Sequence, residues 1–150
     1  MAYILTEDRI ILSLQAVSRD GVLKELAELA EKTCPWLSGE AVRQALQQRE
    51  KFGSTGLGKG VAMPHCHLPS LNWFEFFMAR SIEGLSFGAY DGKPVHIFFL
   101  ILAPENHSLS YLKSLGQLAR FFRDPEIKKR LLKSREAGEI IGIINEAETY

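Results

Sequence analysis

Apolar positions along the chain recur in two rhythms, and the switches between them mark its elements. Ile10, Ile11, Leu12 and Leu14 form a short cluster rich in β-formers, closed by the turn chemistry of Ser18-Arg19-Asp20-Gly21, which predicts a first strand. From Val22 the spacing becomes helical: Val22, Leu23, Leu26, Leu29 and Ala30 share one face behind Asp20 as candidate cap, until Cys34-Pro35 interrupts. Ser38 is the candidate cap of a second helix with Glu40 in its first turn and Val42, Ala45 and Leu46 on one face, ending near Arg49 or Glu50.

Between Phe52 and Gly60 stand four glycines, which predict a loop. Val61-Ala62-Met63, Trp73 to Ala79 and Val95 to Leu102 read as strands; the last is almost wholly apolar, as befits a strand covered on both faces, and Asp91-Gly92 marks the turn before it. After Ala103-Pro104, a helical stripe of Leu109, Leu112, Leu115, Leu118, Ala119 and Phe122 runs to Asp124-Pro125, followed by shorter helices near Glu126 to Lys133 and Glu136 to Asn145. The order β-α-α-β-β-β-α-α-α predicts an α/β fold, three-layer α/β/α with a mixed sheet. No repeat, low-complexity tract or linker divides residues 1–150, so a single domain is expected.

Composition narrows the function classes. The chain has 150 residues, 46% of them hydrophobic, enough to bury a core. Lys plus Arg and Asp plus Glu number 18 each, leaving no basic field for a nucleic-acid backbone. The longest apolar run, Ile97 to Ala103, is too short to span a membrane, and Met1 to Arg9 lacks the features of a secretory signal. Cys34 and Cys66 fit neither a disulfide scaffold nor a metal site, so a cytoplasmic location is expected.

Candidate chemistry concentrates between Arg49 and His67. A cation, Arg49, precedes a glycine-rich turn carrying the hydroxyls of Ser54 and Thr55, and His65 follows Pro64. Glycines let main-chain N–H groups approach an anion, hydroxyls add donors, and a neutral imidazole is a nucleophile when its other nitrogen keeps its proton in a hydrogen bond. The pattern therefore suits phosphate on His65. Gly53 to Lys59 also matches the Gly-x-x-x-x-Gly-Lys of nucleotide-binding loops, but Gly60 stands where Ser or Thr is required. A helical segment also precedes it where a strand should. His67 and Cys66 lack the distant second cluster of a metal site, so no metal is expected; a hydrolase built on a metal at His65 and His67 is the weaker rival. Cys66 and His96 read as packing and structural residues, and Phe74, Phe76 and Phe77 as core or sheet-face residues.

With its Arg-Glu opening, Ser-Thr-Gly turn and Pro-His core, the chain resembles the enzyme IIA domain of the fructose and mannitol type in the bacterial phosphoenolpyruvate-dependent sugar phosphotransferase system, including its nitrogen-regulatory branch. The resemblance covers nearly the whole length. It implies a phosphocarrier that uses no cofactor, takes a phosphoryl group on His65 from the histidine-containing phosphocarrier protein and passes it to an enzyme IIB domain. It assigns Arg49, Ser54, Thr55 and Gly56 to support of the phosphoryl group. The alternative it allows is a regulatory module that controls partner proteins according to His65 phosphorylation. Where family members commonly carry a second histidine in a His-Leu pair, this chain has Tyr111-Leu112. A phenol cannot titrate near neutral pH but can hydrogen-bond to His65 or a phosphoryl oxygen. His107 lies four residues earlier as a possible substitute.

Overall fold

The computed structural model describes residues 5–108 and 115–149. The predicted order of strands and helices holds, with two further short strands in it. Strand β1 (Ile10–Ile11) leads to helices α1 (Arg19–Thr33) and α2 (Gly39–Lys51). Strands β2 (Gly56–Gly58), β3 (Val61–Ala62), β4 (His65–Leu68), β5 (Glu75–Leu85) and β6 (Val95–Pro104) follow, then helices α3 (Leu115–Arg123), α4 (Pro125–Lys133) and α5 (Ala137–Asn145). The helix α1 is capped by Ser18, whose side chain accepts from the Gly21 N–H; Asp20 instead sits in its first turn, where an acid favours the positive end of the helix dipole. Ser38 caps α2 as expected.

The six strands form one mixed sheet, with β5 and β6 antiparallel at its centre and β1 parallel to β5 at one side. On its other side β6 pairs in parallel first with β3 and then with β4, while β2 runs antiparallel to β3. The glycine-rich segment, expected as a loop, thus contributes β2. Glycine is tolerated because this strand has only three residues and lies at the edge of the sheet.

Strand alternation sorts side chains into two cores. Phe77, Ala79, Phe98, Leu100 and Leu102 face α1 and α2, whereas Phe76, Met78, Ile97, Phe99 and Ile101 face α3, α4 and α5. The near-continuous apolar run of β6 is explained by this burial on both faces. Phe74, Phe76 and Phe77 are all buried, and Phe76 packs on Phe99 with ring centroids 5.8 Å apart. Among the described residues one cation is interior: Arg80, 5% exposed, donates to the carbonyls of Leu12 at 2.8 Å, Leu131 at 2.8 Å and Ser134 at 2.6 Å. It satisfies the orphan carbonyls at the end of α4 and ties that helix to β5 and to the segment after β1.

Candidate functional site

Met63 and Pro64 occupy the break between β3 and β4, where β6 exchanges one parallel neighbour for the next, and His65 opens β4. Pro64 has no N–H to give, and its carbonyl accepts the Ile101 N–H at 3.0 Å, so the break is stitched to the central strand. Cys66 and Leu68 point into the core beneath α1 and α2. His65 has the opposite parity and opens on a cleft of about 320 Å³.

The ring is held from both nitrogens. Nδ1 lies 2.9 Å from the Met63 carbonyl, which can only accept, so the proton resides on Nδ1. Nε2 therefore carries the lone pair, and it accepts from Arg49 Nε–H at 3.0 Å. Arg49, in the last turn of α2, is itself fixed by a 2.8 Å bond from its guanidinium to the Gly53 carbonyl. Burial holds the His65 imidazole below the ordinary histidine range, the Met63 carbonyl opposes that shift, and the charges of Arg49 and His67 add to it. A neutral, oriented imidazole that lines a cleft can act as a nucleophile once Arg49 releases the Nε2 electron pair.

Ser54, Thr55 and Gly56 line the same cleft beside Arg49 and His65. Their hydrogen bonds point inward to the protein. The Ser54 hydroxyl donates to the Phe87 carbonyl at 3.2 Å and accepts the Gly56 N–H at 3.0 Å. Thr55 gives both its N–H, at 3.1 Å, and its hydroxyl to the buried carboxylate of Glu50. A Cβ at position 56 would stand 2.8 Å from that of Ala89, so only glycine allows this approach. Leu57, Ile101, Leu115 and Ala119 supply the apolar wall. The sequence pattern marks Ile101, Leu115 and Ala119 simply as apolar positions of a strand and a helix and puts Leu57 in the glycine-rich loop, and it gives Glu50 no role beyond its place in the Arg-Glu pair.

The other candidates lie elsewhere. Tyr111 and Leu112 fall outside the described residues. His107 does not line the cleft; its ring meets Trp73 edge-on with centroids 5.2 Å apart. His96 Nδ1 is 3.1 Å from the Ser81 carbonyl, a structural contact. Burial pushes the Cys66 thiol up to about 12, so it stays protonated. Among the described residues no group of three or more His, Cys, Asp or Glu side chains converges as a metal site needs, and no helix is long and apolar enough to cross a membrane. Gly53 to Lys59 follows a helix and enters β2, so it lacks the strand-loop-helix setting of a nucleotide-binding loop.

Fold and site together define an α/β/α module centred on one oriented histidine beside an arginine. The chain belongs to the EIIA 2 family of the phosphoenolpyruvate-dependent sugar phosphotransferase system, which it matches over residues 3–147. It is 38% identical over 144 residues to a nitrogen regulatory protein of Bradyrhizobium diazoefficiens, covering 94% of this chain and 92% of that one. It is 31% identical to the fructose-specific EIIABC component of Bacillus subtilis, covering 95% of this chain but 22% of the larger protein. The crystal structure of the nitrogen regulatory protein IIA-Ntr from Neisseria meningitidis superposes with a TM-score of 0.86 at 34% identity, covering 94% of this chain and 96% of that one.

Proposed function

We propose that this protein is a phosphocarrier that accepts a phosphoryl group on Nε2 of His65 from the histidine-containing phosphocarrier protein and hands it to an enzyme IIB partner. The observation that carries this reading is the division of labour on the ring: Nδ1–H is committed to the Met63 carbonyl, and Nε2 keeps the electron pair, held by Arg49 at the cleft. In the transfer, Nε2 forms a bond to phosphorus as the bond from phosphorus to the donor's histidine nitrogen breaks, and that electron pair returns to the donor ring. No proton has to leave His65. Its ring gains positive character, which the Met63 carbonyl stabilises through the Nδ1 proton. Arg49 exchanges its Nε2 contact for a phosphoryl oxygen and neutralises the arriving charge, with the Ser54-Thr55-Gly56 turn shaping the seat.

A second reading, regulation of partner proteins by the phosphorylation state of His65, is favoured by one observation. The nitrogen regulatory relative of Bradyrhizobium diazoefficiens is 38% identical to this chain, against 31% for the fructose-specific component of Bacillus subtilis. Incubation with phosphoenolpyruvate, enzyme I and the phosphocarrier protein, read by intact mass, tests the shared step: one acid-labile phosphoryl group is expected on the wild type and none on His65→Ala. Addition to His65→Ala, or none to either, refutes it. Onward passage to an enzyme IIB domain then separates carrier from regulator.

A further inference from the structure

We propose that Glu50 is the positioning residue for the His65 imidazole, acting through Thr55 and Met63; this deepens the reading of His65 as phosphoryl acceptor and rests on it. Val42, Leu46 and Glu50 are spaced four apart on the buried face of α2, so a carboxylate occupies a position that helical periodicity gives to an apolar side chain. Glu50 is 5% exposed, and among the described residues no lysine or arginine forms an ion pair with it. Burial of a carboxylate is costly without compensating donors, and here both donors belong to one residue. The Thr55 N–H reaches Glu50 Oε2 at 3.1 Å, and the Thr55 hydroxyl binds Oε1.

From that anchor a short series of hydrogen bonds leads to the ring. The Thr55 carbonyl accepts the Met63 N–H at 3.0 Å, and the Met63 carbonyl accepts the Nδ1–H of His65 at 2.9 Å. Each link passes from one peptide unit to another, so the effect is one of position and not of electron withdrawal. Adjacent residues at the end of α2 thus govern opposite sides of the imidazole. Arg49 meets Nε2 directly, and Glu50 fixes the acceptor for Nδ1. Without Glu50 the Met63 carbonyl loses its fixed place, and the tautomer with its proton on Nε2, which has no electron pair there for phosphorus, becomes populated.

The test uses the unphosphorylated full chain labelled with ¹⁵N-histidine, so that the tautomer is read without any transfer. Wild type is expected to show His65 in the Nδ1–H form alone. Glu50→Gln, which turns one of the two acceptor oxygens into an NH2 donor, should give mixed tautomers and slow phosphoryl acceptance by about tenfold or more, the scale of losing a partner that orients a functional imidazole. Thr55→Val removes the hydroxyl from the Glu50–Thr55 link and should shift the tautomer in the same direction, which keeps the test decisive if Glu50→Gln fails to fold. Thr55→Ser retains both donors and should keep the single Nδ1–H tautomer. Folded Glu50→Gln and Thr55→Val proteins with a single Nδ1–H tautomer and wild-type acceptance would overturn the proposal. A wild type that never takes up phosphate would instead overturn the function of His65, with the tautomer shift still reporting on Glu50.

Discussion

Replacing Arg49 by methionine sets two effects against each other, and the structure allows their difference to be worked out. In the resting protein Arg49 Nε–H sits on the electron pair of Nε2 at 3.0 Å, so attack on phosphorus first requires that bond to open. A hydrogen bond from a charged donor is worth about 2 kcal/mol, and removing it favours attack. Against this, a cationic donor aimed at charge developing in the transition state is worth about 4 kcal/mol. The net loss is about 2 kcal/mol, or roughly 30-fold in the rate of acceptance. A second consequence has a definite sign: Arg49 lowers the pKa of His65, so its removal raises it and leaves more of the ring protonated and unreactive near neutral pH. Rapid mixing with the phosphorylated donor, followed by intact mass against time, gives the rate; ¹⁵N chemical shifts against pH give the titration. An Arg49→Met protein that is phosphorylated as fast as wild type, with its imidazole titrating unchanged, would refute the reasoning.

Two further outcomes follow from groups already placed. Arg80→Met leaves the carbonyls of Leu12, Leu131 and Ser134 without their shared donor. At about 1 kcal/mol each this costs about 3 kcal/mol, a fall in Tm of about 10 °C for a chain of this size, with phosphoryl acceptance unchanged at low temperature; calorimetry checks it. Because burial depresses the His65 pKa below its ordinary value of 6.5, the unfolded chain binds more protons than the folded one below that pH. This share of stability is full above about pH 6.5 and is lost as pH falls through the depressed value. Urea midpoints should therefore decline less steeply on acidification in His65→Gln than in wild type, and equal slopes would refute the assignment.

Much of the architecture was legible because burial imposes period. The alternation in β5 and β6 and the helical stripes of α1 and α2 arise from side chains that must face one core or the other. The short strands β2 and β4 were not legible, since they are defined by their partners, β3 for β2 and β6 for β4, and not by their own composition. Within the site, Arg49 and His65 were readable as a pair, and the structure brings them into direct contact. The hydroxyls of Ser54 and Thr55 were expected to face an anion, yet each finds a protein acceptor, which no local pattern reveals. Glu50 did leave a trace: a carboxylate four residues beyond Leu46 on an apolar stripe is a departure that asks for buried donors.

The cleft is lined by Arg49 from one helical layer and by Leu115 and Ala119 from the other, although each layer has a hydrophobic core of its own. Whatever occupies that space touches both halves of the sandwich at once. On the function proposed above, a phosphoryl group on His65 would set its charge where residues of the two layers meet.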